Sequence, residues 1–126
     1  MSPFAIFPKN RSVPFFPPSE RDLVARMIAR HWRALAKREH AAAYVHHLRT
    51  ETFPAIRAID GFVDASIQHR EVAKGVELLI VTYWRSMDAI RKFAGADPEI
   101  AVVPDKVRAM MVELDGRVRH YEVESQ

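Results

Sequence analysis

Val76-Glu77-Leu78-Leu79-Ile80-Val81-Thr82-Tyr83-Trp84 runs directly into Arg85-Ser86-Met87-Asp88-Ala89-Ile90-Arg91-Lys92-Phe93-Ala94-Gly95. The first part is aliphatic, β-branched and aromatic, with the length of one buried strand. The period then changes. Ser86 is a good N-cap, Met87, Ile90 and Phe93 share one helical face, and Gly95 can take the left-handed conformation that ends a helix. A strand ending in Trp thus turns at once into a short capped helix.

Upstream of this corner, Phe62 to Glu71 alternates, with Val63, Ala65 and Ile67 set against Asp64, Ser66 and Gln68. Residues 72–75 then form a hairpin connection into the strand above. Lys37 to Ile59 has a helical period, with Ala41, Tyr44, Val45 and Leu48 as its buried stripe. Pro54 predicts a kink or restart near Thr52, with Phe53, Ile56 and Ile59 continuing the apolar face. Leu23 to Leu35 is strand-like and apolar on both faces, as a central strand covered on two sides should be. Downstream, Ala96 to Asp105 is a proline-bearing, lid-like insertion. Lys106 to Leu114 reads as helix, Asp115-Gly116 as a turn, and Arg117 to Glu124 as a last strand. All four glycines (Gly61, Gly75, Gly95, Gly116) fall at these junctions.

The order β-α-β-β-α-β predicts an α+β, ferredoxin-like fold: a four-stranded antiparallel sheet with helices on one face. Such a sheet leaves its other face bare and apolar. The expected remedy is a second copy packed sheet against sheet in a two-fold homodimer.

At 126 residues the chain is sized for one domain. It has no cysteine, which excludes a disulfide framework and a thiolate metal site. No apolar run approaches the ~18 residues of a membrane span, and the N-terminus lacks a secretory layout. The expectation is a soluble, cytoplasmic protein with no membrane partner. The sequence pI is near 9.5, yet residues 1–26 hold four bases against two acids and so carry +2 of the net +3. In the remainder, Glu39, Glu51, Glu71, Glu77, Asp88 and Glu99 are interspersed with the bases, which does not make a phosphate-binding face. No nucleic-acid partner is expected.

Residues 1–22 form a separate arm, and 23–126 the single folded domain. Five of the eight prolines and four of the seven phenylalanines lie in the first twenty residues. Proline at this density forbids helix and sheet interior, while Phe4, Phe7, Phe15 and Phe16 are too apolar for a plain linker. Two readings remain: an arm that lays its aromatics on the body or on a partner subunit, or translation from upstream of a natural start at Met27. The stretch Ser12-Val13-Pro14-Phe15-Phe16-Pro17-Pro18 suits docking and favours the arm.

The element order, the Tyr83-Trp84-Arg85-Ser86 junction, Phe93-Ala94-Gly95 and the closing Arg119-His120-Tyr121-Glu122-Val123 resemble the antibiotic biosynthesis monooxygenase domain family. These are dimeric α+β barrel proteins, and the resemblance covers roughly Met27 to Val123. It implies a cofactor-free enzyme, a monooxygenase or a cyclase or isomerase, acting on an aromatic or polyketide-like molecule between sheet and helices. The alternatives are a ligand-binding module without turnover and a purely structural dimer. The haem-degrading branch pairs an Asn on the first strand with a Trp ending the third and a His on the next helix. Trp84 matches the Trp, but the lone asparagine is Asn10 and the 86–94 helix has no histidine. Haem degradation is therefore disfavoured, and the quinone-forming oxygenases lose the same Asn.

His31 on the first strand, Tyr44 on the first helix and His120 on the last strand form an adequate set for proton transfer, with a base near neutral pKa and a phenol donor. This is the kind of set that the superfamily's cyclases use. Alternation puts His31 with Met27 and Ala29, on a face with room for a ligand, and Asp115 is placed to orient a histidine of the last strand. Trp84 would wall an aromatic substrate. Arg30, with Arg85 and Arg119, is suited to a carboxylate or enolate, and His47 shares the helix face of His40 and Tyr44. Two imidazoles on one helix fall short of a metal site, so no metal is expected, and the resemblance implies no cofactor. Each residue also has a structural reading: core filler, strand pair or corner anchor.

Overall fold

The computed structural model describes residues 27–124, so the proline-rich arm and the start of the first predicted strand lie outside the described residues. Strand β1 (Ile28–Ala36) leads into a helical run, α1 (residues 38–57), followed by β2 (Phe62–Val72) and β3 (Gly75–Trp84). Helix α2 (Met87–Ala94), a single turn α3 (Asp105–Arg108), β4 (Met111–Leu114) and β5 (Arg119–Glu122) complete the chain. All strand pairings are antiparallel, in the order β2-β3-β1-β4, with β5 also on β1.

The strand-to-helix corner forms as its sequence requires. Ser86 Oγ accepts from the Ala89 N–H at 3.1 Å, and Gly95 closes α2 at φ +94°. Gly61 has φ +98°, and a Cβ there would lie 2.6 Å from the Ala89 Cβ, so glycine lets the start of β2 approach α2. Pro54 does not break α1. Instead the preceding turn, Leu48–Thr52, widens to π geometry, and the Phe53 N–H reaches back five residues to the Leu48 carbonyl. An α-helical segment then restarts at Phe53, as expected near Thr52, with Pro54 in its first turn where a missing N–H is tolerated.

Two expectations need correction. The helix predicted over Lys106 to Leu114 stops at Arg108, and Met111–Leu114 is a strand on the end of β1, with Met111 opposite Ala36. Val107 and Met111, both buried and four apart, imitate a helical stripe, but pairing with β1 overrides that local period. The last predicted strand is also shorter and divided. β4 and β5 share the place beside β1, and between them the chain turns to the lid: Ala101 N–H donates to the Gly116 carbonyl and Val118 N–H to that of Glu99. The sheet therefore has five strands in four positions.

Alternation sorts the central strands into two faces. Arg30, Trp32, Ala34 and Ala36 of β1 lie on the helix side with Leu78, Ile80, Thr82 and Trp84 of β3. There they meet Tyr44, Leu48, Phe53 and Ile56 of α1 and Ile90 of α2 in one core. Ala29, His31, Arg33 and Leu35 lie on the opposite side with Leu79, Val81 and Tyr83. No helix among the described residues is long and apolar enough to cross a membrane.

Candidate functional site

Between the sheet and α1 lies a cavity of about 570 Å³, a volume that includes its open mouth. Its walls are apolar, with Trp32, Leu48, Phe53, Ile56, Ile80 and Phe93 foremost, and the lid residues Val102 and Pro104 stand at its rim. The lid expected from the two prolines is thus in contact with the cavity. Polar character comes from Arg30, Tyr44, Thr52 and Thr82.

Arg30 is buried to 5% exposure on the central strand. Its Nη1 donates to the Pro98 carbonyl and lies 3.0 Å from His120 Nε2, while Nη2 donates to the Ile100 carbonyl at 3.0 Å. The guanidinium also lies 5.6 Å from the centre of the Phe93 ring. No carboxylate pairs with it among the described residues, and burial pulls its pKa down to about 10. At neutral pH it remains a cation, held by two lid carbonyls, an imidazole and an aromatic face.

The His120 contact fixes a tautomer. Arginine has no lone pair to accept with, so His120 Nε2 must be the acceptor and its proton sits on Nδ1. Burial, then the charge of Arg30, lowers the His120 pKa. Its basic nitrogen is committed to Arg30, which makes His120 a positioning residue for the guanidinium. No hydrogen bond or ion pair joins Asp115 to a histidine among the described residues; instead its backbone carbonyl accepts from Trp32 Nε1 at 2.7 Å.

Tyr44 is 3% exposed, and its hydroxyl has no hydrogen-bond partner among the described residues. Burial raises its pKa, so it stays protonated and has an O–H to offer. His47 stacks on Tyr44 with ring centres 6.3 Å apart and meets Glu51 at 3.2 Å, behind the wall and outside the lining. Trp84 is fully buried. It donates to Thr82 Oγ1 at 2.8 Å and packs between Phe62 and Phe93, so it supports the Phe93 wall from behind.

His31 does not join Tyr44 and His120. It lies on the opposite face of the sheet, edge-on to Tyr121 at 4.9 Å, with its pKa lowered by burial. The alternation that grouped it with Ala29 was right, but that face is turned away from the cavity. Arg30 and Tyr44 thus line one cavity, with His120 joined to Arg30 from outside the lining, Trp84 behind Phe93 and His47 stacked on Tyr44. Sequence reasoning did not single out Thr82 or Trp32 for the site. Their signal was available: both share strand parity with residues of the core, Thr82 with Ile80 and Trp84, and Trp32 with Arg30. Among the described residues no group of three or more His, Asp or Glu side chains converges as a metal site.

No family model matches the sequence, and no curated protein matches it. Solved structures do match in shape. A Bacillus cereus protein assigned as an antibiotic biosynthesis monooxygenase aligns at TM-score 0.57 and 19% identity, over 80% of this chain and 94% of its own. SnoaB, a cofactor-independent oxygenase from Streptomyces nogalater, aligns at 0.57 and 13%, over 81% and 97%. The ActVA-Orf6 monooxygenase of Streptomyces coelicolor, in complex with nanaomycin D, aligns at 0.50 and 18%, over 82% and 89%. At these identities the likeness is one of backbone, and the chain carries the fold of the antibiotic biosynthesis monooxygenase family.

Proposed function

We infer that this protein binds a small aromatic or polyketide-like molecule between sheet and α1 and transforms it without a bound cofactor, by oxygenation or by cyclisation or isomerisation. The observation that carries this reading is the pairing, in one apolar cavity, of a buried cation lacking a carboxylate with a buried phenol lacking an acceptor. Aromatic walls suit a flat apolar ligand. N–H and O–H donors suit the oxygen on which negative charge collects when an enol or phenol reacts at its neighbouring carbon. Arg30 would hold that oxygen, Tyr44 would donate to it or to a second oxygen, and His120 would keep Arg30 in place. Two of the solved structures of this fold are described as oxygenases, one of them cofactor-independent and the other in complex with nanaomycin D.

Among the described residues, the cavity lining contains no carboxylate and no imidazole. That feature favours a second reading, a binding module without turnover, in which the same donors hold a ligand that is not consumed.

The working unit in this proposal is a homodimer, as in the dimeric barrels that the sequence resembles, closed through the sheet face away from the helices, where Tyr121 is half exposed. Native mass spectrometry of protein purified gently from its own host, followed by oxygen uptake with an anthrone as substrate, tests both parts. The proposal expects a dimer carrying an extra small-molecule mass, and uptake above the buffer rate that disappears in Arg30→Met. A dimer that binds the anthrone without uptake would select the binding module, and a monomer would overturn the sheet-to-sheet contact.

A further inference from the structure

Arginine has five N–H donors in a planar fork. In Arg30 both Nη1 hydrogens are spent, on the Pro98 carbonyl and His120, and one Nη2 hydrogen on the Ile100 carbonyl. Nε–H and the second Nη2–H have no acceptor among the described residues. Nε and Nη2 are adjacent on one edge of the guanidinium, the edge that grips two oxygens of a planar anion in parallel. Arg30 lines the cavity, and so does Tyr44, whose O–H is likewise unclaimed and whose residue is more than nine-tenths buried. Unlike Arg30, the arginines on the outer surface that could serve such an anion, Arg85 and Arg119, are exposed and do not line the cavity.

We propose that the free edge of Arg30, with the Tyr44 hydroxyl, is a subsite for a planar two-oxygen anion at one end of an otherwise aromatic ligand. The cavity would thus be selective for ionised acids over their neutral isosteres. This rests on the reading of the cavity as a ligand site and names the chemical class it takes. Two sources share the chemistry: an aryl carboxylate, and the enolate of a vicinal hydroxy-ketone such as a hydroxynaphthoquinone. Because the same guanidinium holds the Pro98 and Ile100 carbonyls, anion and lid share one anchor. Occupancy of the subsite should therefore tighten the lid, and the Ala101 N–H, bonded to the Gly116 carbonyl, is its reporter.

The test is a calorimetric titration of wild-type protein, Arg30→Met and Tyr44→Phe with 2-naphthoate, 2-hydroxy-1,4-naphthoquinone and the neutral 2-naphthamide. At pH 7 wild type should prefer at least one of the two anions to the amide by about tenfold or more, the scale of one charge-assisted hydrogen bond. The anion that wins names the source. Arg30→Met should erase the preference while still binding the amide. Tyr44→Phe, which removes one unbonded hydroxyl and so leaves the fold intact, should reduce anion binding about three- to tenfold. Hydrogen exchange at Ala101 should slow with the anion and not with the amide. If the amide binds as tightly as both anions, or the preference survives in Arg30→Met, the anion subsite falls while the cavity reading stands. If none of the three probes binds wild type at millimolar concentration, both fall.

Discussion

Arg30 and Arg33 stand three residues apart on one strand and on opposite faces of the sheet, and their surroundings are opposite in kind. Arg33 pairs with Glu77 at 2.7 Å and lies 3.7 Å from Glu113, while Glu77 also takes Arg70 at 2.5 Å. Those contacts raise the Arg33 pKa, the hydrogen bond to Glu77 foremost. Arg30 has neutral partners and a lowered pKa. The outer face settles its charges within the chain, whereas the inner face keeps one cation without a counter-charge beside an apolar cavity. A buried cation left so is costly unless something completes it, and here the missing partner is assigned to the ligand.

The largest effect should come from the wall behind that cation. Trp84→Ala removes a fully buried indole from between Phe62 and Phe93 and is expected to cost about 3–5 kcal/mol in urea unfolding. Arg30→Met should cost much less stability, since it exchanges an uncompensated buried cation for an apolar group, yet it should erase anion preference. Arg33→Met is the control on the other face. It should cost no more than about 1 kcal/mol, because its ion pairs are partly exposed, and should leave ligand binding unchanged. Equal binding losses from the two substitutions would break the contrast between the faces.

The side chains beside the two arginines also titrate in different ranges. His120, on the inner face, has a folded-state pKa below its ordinary value, through burial and then Arg30. The unfolded chain therefore binds the proton first, and the stability that His120 contributes is full above its ordinary pKa of about 6.5 and is lost as pH falls below it. Glu77 and Asp97 are also shifted down, by hydrogen bonds to arginines and, foremost for Asp97, to the backbone N–H of Glu99. Their contribution disappears only at lower pH, as the carboxylates of the unfolded chain take protons. Urea midpoints should thus decline in two stages on acidification. His120→Gln should flatten the upper stage, shared with His31, and leave the lower one in place. An unchanged upper stage in that variant would remove the neutral His120–Arg30 contact from the account.

Much of this frame was legible in the chain. Ser86, Gly95 and the change of period between Trp84 and Met87 are local signals, and they specify the corner almost to the residue. Lys106 to Leu114 misled because Val107 and Met111 satisfy a helical spacing equally well, and only β1, seventy residues earlier, decides that Met111 belongs to a strand. The site was half legible for a similar reason. Alternation separates Arg30 from His31 with certainty, but β1 is apolar on both faces, so it does not say which face receives the helices. The partners of Arg30 were hidden altogether, since two of them are backbone carbonyls of the lid and carry no side-chain signature.

The central claim is that Arg30, and not Arg33, holds the ligand's charge. The most direct measurement is the side-chain Nε–H resonance of each arginine in ¹⁵N-labelled protein during titration with 2-naphthoate, 2-hydroxy-1,4-naphthoquinone and 2-naphthamide. The account expects the Arg30 Nε–H to shift downfield and exchange more slowly with an anion alone, while Arg33 stays where Glu77 holds it. Saturation by an anion that leaves the Arg30 resonance unmoved would contradict it.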